Sequence, residues 1–502
     1  MSNENSNHTE PPMASDASEQ MQIRLGKRQR LLDRGTEPYP VVLERTHSLA
    51  QIRDEYGHLE AGDSTSVMAG VAGRVVFTRN TGKLCFATLQ AGDGTRLQAM
   101  ISLANVGEQA LADWKELVDL GDHVLVHGEI ISSKRGELSI MANWWKMASK
   151  SLRPMPTLHK ELNEETRVRQ RYVDLMVREE ARQMVQTRAA ITQAVRDTLH
   201  GHGYIEVETP MLQLVHGGAA ARPFETHLNA FDQKMTMRIA LELYLKRAVV
   251  GGIDRVYEIG RIFRNEGVDS THSPEFTMLE CYEAYADQFV MAERMQEIIV
   301  KCADLMGSRT LDTPEGEINL DGQWQWLSVY PGLSEAVGQQ ITTETDAEQL
   351  RKIADRHDVK VDAGWDEEKL VLELFGEIVE PNLIQPTFVY DYPPSAQPLA
   401  RQHREDPRLI EAWDLVIGGM ERGTAFSELI DPVIQRERLT EQASRSAAGD
   451  EEAMQLDEDF LRALEYGAPP MGGIGLGIDR LVMLFTNAGI RETILFPLMK
   501  PE

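Results

Sequence analysis

Between Val67 and Ala142 apolar and polar residues alternate in five short runs, Val67–Phe77, Leu84–Gln90, Leu97–Ser102, His123–Ile130 and Glu137–Ala142. A period of two puts alternate side chains on one face of a strand. The connecting Asn80-Thr81-Gly82, Gly92-Asp93-Gly94 and Lys134-Arg135-Gly136 supply the residue types that turns need. Five such strands predict a small β-barrel of the OB type. From Ser149 to Leu162, with Pro154 and Pro156, periodicity is lost, which marks a seam before a larger region starting near Arg167. In that region Thr187–Gly203 places Ile191, Ala194, Val195 and Leu199 on one face of a helix, and Tyr204–Pro210 alternates as a strand closed by a proline. Tyr257–Phe263 predicts a strand that runs into Arg264-Asn265-Glu266-Gly267, and after a polar loop the run Pro274–Glu280 alternates again and ends in a carboxylate. Gly473-Ile474-Gly475-Leu476-Gly477 predicts a glycine-rich strand, followed by a helix that carries Arg480. Residues 346–383 read as a helical insertion. The predicted organisation is a disordered polar tail over 1–20, a basic helix and barrel over 21–150, a linker over 151–166 and a large domain over 167–502.

Composition narrows the class. At 502 residues with 42% hydrophobic content the chain is long enough for two or more domains with sizeable cores, and no apolar run approaches the roughly 20 residues of a membrane span. Met1–Gln20 lacks the basic start and apolar stretch of a signal peptide. Cys85, Cys281 and Cys302 have no metal-ligand spacing and read as buried reduced thiols of a cytoplasmic protein. The net charge of −27 argues against a nucleic-acid partner, but binding depends on local patches. Met21–Arg34 is such a patch, with Arg24, Lys27, Arg28, Arg30 and Arg34 against the single acid Asp33. It is either a solvated surface helix or a set of phosphate contacts.

Several side chains carry candidate chemistry, each beside a plainer reading. Arg264 and Glu266, two apart on an extended segment, point into one cavity, and a cation beside an anion suits a zwitterionic or phosphorylated ligand. Phe86, with Arg79 and Gln98 near it, suits base stacking on an OB face, although an isolated strand Phe more often fills a barrel. Gly473-x-Gly475-x-Gly477 alone is more often a tight helix–strand contact than a nucleotide site. Asp414, Glu421 and Glu428, seven apart, are either acids around a hairpin turn or, for the first two, ligands of a Mg²⁺ ion shared with phosphates. A lone His272 or Phe276 would ordinarily be scored as a loop or core residue.

Taken together, Phe263-Arg264-Asn265-Glu266-Gly267 with Pro274-Glu275-Phe276-Thr277-Met278-Leu279-Glu280, the segment ending at Pro210 and the Gly473–Leu481 segment resemble motifs 2, 1 and 3 of the class II aminoacyl-tRNA synthetases. The barrel segment Gly73–Gln90 is similar to the anticodon-binding barrels of the lysyl, aspartyl and asparaginyl enzymes. Gly217–Phe224, Leu241–Lys246 and Phe426–Leu429 look like the bacterial class II lysyl-tRNA synthetases. The resemblance spans roughly Gln20 to the C-terminus and implies an α+β protein, an OB barrel followed by an antiparallel-sheet catalytic domain with flanking helices. It implies ATP-dependent activation of L-lysine and transfer to the 3′ end of tRNA(Lys), Mg²⁺ as cofactor, and a cytoplasmic homodimer built through motif 1 around Pro210. It further implies Arg264 and Arg480 as catalytic cations, with Glu266, His272 and Phe276 completing the ATP site. Gly217, Glu242, Glu266, Tyr282, Phe426 and Glu428 would hold lysine, Asp414 and Glu421 the metal, and Arg79, Phe86, Gln98 and Glu137 the anticodon.

The chain departs from the family pattern in places. Thr271-His272-Ser273 stands where Arg-His-Asn is common, Asp414 where glutamate is usual, Thr424 for an asparagine and Ala425 for a glycine. The missing arginine leaves Arg222 and Arg491 as substitute cations for the ATP phosphates. Among rivals, an aspartyl or asparaginyl enzyme would need cations for its amino acid, against Glu242 and Glu428. A protein-modifying lysyltransferase would lack the barrel, and a lipid lysyltransferase would need membrane spans. A noncatalytic single-strand binder with a decayed synthetase domain would not keep Arg264, Glu266, Glu421 and Arg480 together.

Overall fold

The computed structural model describes residues 18–156, 162–447, 449–450 and 452–501. Residues 1–17 of the expected polar tail lie outside that set, while Ser18 already caps a helix, Glu19–Asp33. The chain packs as two compact units, Met1–Arg182 and Gln183–Glu502.

In the first unit five strands, β1 (Ser64–Asn80), β2 (Leu84–Gln90), β3 (Arg96–Ser102), β4 (His123–Ser132) and β5 (Leu138–Ser149), close into a barrel in the order β1-β2-β3-β5-β4. Alternation decides which side chains fill it: Cys85, Ala87 and Leu89 of β2 and Leu97, Ala99 and Ile101 of β3 are buried, and the residues between them face outward. Gly128 is needed on β4, because a Cβ there would meet the Ala142 backbone at 2.9 Å. The basic helix Glu19–Asp33 is neither simply solvated nor left with its cations for phosphate. Arg24 donates to the carbonyls of Leu120, Ser151 and Arg153. Lys27 meets Asp119 at 2.5 Å, Arg30 meets Glu116 at 3.1 Å and Arg34 meets Glu116 at 2.7 Å. Four of its cations are thus committed to the helix Glu108–Leu117 and to the segments before β4 and after β5, and Arg28 lies 5.9 Å from the Tyr39 ring.

The second unit holds the strands β6 (Ile205–Glu206), β7 (Leu212–Gln213), β8 (Glu225–Leu228), β9 (Gln233–Met237), β10 (Arg255–Phe263), β11 (Glu275–Ala284), β12 (Thr310–Thr313), β13 (Gly316–Asn319), β14 (Gln325–Ser328), β15 (Thr387–Tyr390), β16 (Ala412–Val416), β17 (Glu421–Ser427) and β18 (Met471–Gly477). Eight of them form one sheet, β14-β15-β16-β17-β18-β11-β10-β6, antiparallel apart from the β14–β15 and β6–β10 pairs. Helices Glu179–Gly201 and Gln288–Met306 cover one face, where Ile191, Val195, Met295 and Ile298 pack on Leu279, Cys281, Ile474, Leu476 and Trp413. The insertion over 346–383 is helical, with Ala347–Arg356 and Glu367–Ile378 sharing a core of Leu350, Ile353, Leu370 and Phe375.

The structure corrects three local expectations. The helix expected from Thr187 begins at Glu179 and ends at Gly201. The strand expected over Tyr204–Pro210 pairs only at Ile205–Glu206, because Thr209 donates both its N–H and its hydroxyl to Glu258 Oε2, at 2.9 and 2.6 Å, instead of continuing the ladder. Arg264 and Glu266 lie past the end of β10, in the loop that leads to β11. All three cysteines are free and buried, and burial pushes the Cys281 and Cys302 thiols up to about 12.

Candidate active site

The open face of the second sheet forms a cavity of about 330 Å³. Its floor follows from strand alternation. On β11, Phe276, Met278, Glu280 and Tyr282 face the cavity while Leu279 and Cys281 enter the core. On β18 the glycines serve both faces. A Cβ at Gly472 would meet Met291 Cγ at 2.8 Å, so the helix behind the sheet can pack close. A Cβ at Gly473 would fall on Glu428 Oε1 and the Tyr282 ring, so its absence makes room inside the cavity.

One end is anionic. Glu242, Glu280 and Glu428 line it, each no more than 4% exposed. Glu280 accepts the Leu241 N–H at 2.9 Å and the Tyr282 hydroxyl at 3.1 Å. Burial, reinforced by Glu242, pushes Glu280 up to about 8. Burial also pushes Glu428 up to about 8, against the pull of Lys246, and raises Glu242. Such a pocket favours a cationic guest, because the guest restores the charged form of its walls. Phe426 supplies an apolar wall.

The other end is cationic. Arg264 and Arg480 line it with Glu266, His272 and Phe276. The Arg264 guanidinium lies 5.4 Å from the Phe276 ring centroid, and its pKa is lowered by burial. Arg480, in the first turn of the helix Ile478–Thr486, donates to the Glu421 carbonyl at 3.1 Å, and Arg422 donates to the Arg480 carbonyl at 3.3 Å. Asp479 ties that helix to β11 by accepting the Thr277 N–H at 2.6 Å. In the loop, Asp269 accepts the backbone N–H groups of Thr271 and His272 at 2.7 Å each, and those bonds hold its carboxyl well below the usual range.

Asp414 on β16 and Glu421 at the start of β17 stand on one hairpin and both line the cavity. Burial and the Glu421 charge push Asp414 up to about 7. An acid whose ionisation a neighbouring carboxylate opposes fits a divalent cation, which would relieve it. Among the described residues no group of three or more potential ligands gathers, so an ion on this pair would complete its shell with water or substrate oxygens.

Eleven of the twelve residues expected at this end of the molecule line the cavity; Gly217 does not. Its neighbour Gly218 does, at φ +89°, where a Cβ would lie 2.9 Å from that of Ala240. The suggested substitutes Arg222 and Arg491 are not lining residues either, whereas the unforeseen Arg422 is. Glu280 was also missed, although a period of two counted from Phe276 through Met278 places it on the cavity face.

On the barrel, Arg79 pairs in register with Phe86, its guanidinium 4.8 Å from the ring centroid. Thr88 on β2 stands opposite Gln98 on β3, so Phe86 and Gln98 share the outer face, and Gln98 donates to the Ser139 hydroxyl at 2.8 Å. Glu137 is exposed and pairs with Arg53 at 3.0 Å. These four are the expected anticodon set, gathered on one side of a barrel.

Comparison with known proteins agrees along both units. Residues 163–500 match the family model of class II tRNA synthetases (D, K and N), and residues 70–147 match the OB-fold nucleic acid binding domain. The lysine–tRNA ligase of Kineococcus radiotolerans is 57% identical over 490 residues, covering 97% of this chain and 98% of that protein. That of Mycolicibacterium gilvum is 56% identical over 496 residues, covering 98% and 99%. A lysylphosphatidylglycerol biosynthesis bifunctional protein of Mycobacterium ulcerans is 46% identical over 491 residues, 96% of this chain but 44% of that protein. Among the described residues no helix is long and apolar enough to cross a membrane. The agreement of both units with full-length relatives, together with a cavity that is anionic at one end and cationic at the other, shows that the chain belongs to the lysine–tRNA ligases, within the class II aminoacyl-tRNA synthetases.

Proposed function

We propose that this cavity activates L-lysine with ATP and passes the lysyl group to the 3′ end of tRNA(Lys), with the roles divided as follows. Glu428 and Tyr282 receive the ε-ammonium, Glu242 and Glu266 the α-ammonium, and Phe426 flanks the aliphatic chain. Arg264 meets the lysine carboxylate and the α-phosphate. Phe276 and Arg480 hold adenine between them, and His272 contacts phosphate. The lysine carboxylate, already ionised, attacks the α-phosphorus in line and pyrophosphate leaves. A ribose hydroxyl of the tRNA terminus then attacks the activated carbonyl and AMP leaves. No general base is required for the first step, so the chain contributes positioning and charge compensation. Asp414 and Glu421 would hold Mg²⁺, which neutralises phosphate charge when bound. The observation that carries this reading is the meeting of three buried carboxylates and the half-buried Arg264 in one cavity, which matches the charges of lysine and excludes a neutral or acidic side chain.

Amino-acid-dependent ATP–pyrophosphate exchange, run with each standard amino acid and Mg²⁺, tests it. Exchange with lysine alone is the expected result; exchange with another amino acid would overturn the pocket assignment. The barrel residues Arg79, Phe86, Gln98 and Glu137 are proposed to read the anticodon. The segment around Pro210 is proposed to join two copies, because Ile205, Met211, Leu212 and Leu214 are 45–65% exposed there. A dimer mass by light scattering is the expected result. The cytoplasm, where translation takes place, is the proposed location.

A further inference from the structure

A cationic side chain at the anionic end has no part in the roles above. Lys246 lies on the helix Glu242–Val250, is 1% exposed and does not line the cavity. Its Nζ is 2.6 Å from Glu242 Oε1, one turn away, and it also contacts Glu428 Oε2. A buried ion is stable only when paired, and removing one member of such a pair leaves an uncompensated charge. The three carboxylates Glu242, Glu280 and Glu428 share this single resident ammonium. Once all are ionised, this cluster of Lys246 and three carboxylates, taken without Arg264 and Glu266 at its border, is short of two positive charges. L-Lysine carries two ammonium groups, and its carboxylate is directed to Arg264.

We propose that Lys246 is a specificity-determining positioning residue: its ammonium braces Glu242 against Glu428 and sets the pocket's deficit at two charges, which an amino acid with a second ammonium group balances. The inference rests on the lysine-pocket reading above and deepens it. An amino acid with an uncharged side chain leaves one buried carboxylate unbalanced, and that carboxylate must then take up a proton or oppose binding.

The helix of Lys246 packs on β10, β11 and the helix Glu458–Glu465, and the charged groups of β10 are paired elsewhere, Arg255 with Glu283, Glu258 with Arg238 and Arg261 with Glu275. The Lys246 helix itself supplies Glu242, the end of β17 supplies Glu428, β11 supplies Glu280 and the Tyr282 hydroxyl, and Arg264 acts on Glu280 from beyond β10. The strand β18 has no charged residue: Gly473 stands against the Glu428 side chain and the Met471 carbonyl accepts the Glu428 N–H at 2.9 Å. The helix Glu458–Glu465, on the outer flank, aims Asp457 and Asp459 at Arg247, at 2.5 and 2.9 Å, and not at Lys246. The attraction of Lys246 lowers both Glu242 and Glu428 against the upward push of burial. Without it, both carboxyls would hold their protons to higher pH and meet a lysine ammonium less well.

The test is equilibrium titration of L-lysine into the full chain between pH 6 and 9, with ATP binding measured alongside, for the wild type, Lys246→Met and Lys246→Arg. Lys246→Met should lose roughly tenfold to a hundredfold in lysine affinity at pH 7, the range of one charged hydrogen bond. Its affinity should also rise only at higher pH than in the wild type, with ATP affinity unchanged. Lys246→Arg keeps the charge and should keep the wild-type pH profile. An equal loss in both variants at every pH would reduce Lys246 to a space-filling residue and overturn the proposal, as would wild-type affinity in Lys246→Met. Should Lys246→Met fail to fold, Lys246→Arg decides: a shifted profile overturns the proposal and a retained one supports it. A wild type that binds no lysine at any pH would instead remove the pocket reading underneath.

Discussion

Glu428 and Gly473 define the anionic end of the cavity between them, one by its charge and the other by having no side chain. Replacing Glu428 by Gln keeps the shape and removes the charge, so the KM for lysine in pyrophosphate exchange should rise roughly tenfold to a hundredfold, as for a lost charge-assisted hydrogen bond, with the KM for ATP unchanged. Gly473→Ala inserts a methyl where Glu428 Oε1 and the Tyr282 ring already stand. It should depress lysine activation at least as strongly, and calorimetric titration with L-lysine would show it. The pH dependence follows from the same carboxyls. Glu280 and Glu428 are pushed up to about 8, so in the free enzyme they hold protons below that value and lose them above it. An ammonium pairs with the ionised form. Lysine affinity should therefore increase from pH 6 to about 8.5 and fall again as the ligand's own amines deprotonate. The linkage sign agrees: between their unfolded values and about 8 these groups bind more protons folded than unfolded, so on their account the ligand-free protein loses stability as pH rises. The thermal shift produced by lysine should be larger at pH 8.5 than at pH 6.

At the scale of elements, the hairpin of β16 and β17 joins the two ends of the site. Glu421 stands at its turn end, Asp414 at the middle of β16 opposite Thr424, and Glu428 just beyond its far end. The start of β17 is interlocked with the helix Ile478–Thr486, because Arg480 donates to the Glu421 carbonyl while Arg422 donates to the Arg480 carbonyl. Asp414 is half-buried, and desolvation together with the Glu421 charge pushes it up to about 7. Asp414→Asn removes one of the two charges offered to a cation. The Mg²⁺ concentration for half-maximal exchange should rise several-fold in this variant, with the lysine KM little changed; an unaltered Mg²⁺ requirement would count against the pair as metal ligands. Thr271 stands where a loop arginine is common, and Arg264, Arg422 and Arg480 line the same cavity.

For the whole molecule, the barrel and the catalytic unit carry separable tasks. Phe86→Ala should lower tRNA aminoacylation by roughly tenfold, since stacking a base on an aromatic ring is worth about 1–3 kcal/mol. Lysine-dependent pyrophosphate exchange, which needs no tRNA, should stay at the wild-type level. A fall in both measurements would mean that Phe86 supports the fold and does not meet RNA. The net charge of −27 reconciles with a nucleic-acid ligand because binding needs only a local face, and the basic helix Glu19–Asp33 contributes little to one, having spent its cations on Asp119, Glu116 and backbone carbonyls.

Periodicity along the chain was enough to locate the barrel strands, the helix bearing Ile191 and Val195, and the β10–β11 and β18 segments, because a period of two or of 3.6 is a local property of which face is buried. The resemblance to the class II synthetase motifs likewise singles out Arg264, Glu266, Phe276, Asp414, Glu421, Glu428 and Arg480 in the sequence. Other features depended on distances between residues far apart in the chain. The strand after Tyr204 stopped short because Glu258, about fifty positions on, takes the hydrogen bonds that would have extended it. The cations of the first helix met acids some ninety residues away. Lys246 is legible in the sequence only as a helix neighbour of Glu242; that its ammonium also reaches Glu428 depends on how β17 packs against that helix. Local pattern thus determined the elements and the chemical types of the site, while the pairing, burial and protonation of its charges were decided by tertiary packing, since electrostatic energies depend on distance and desolvation and a sequence specifies neither.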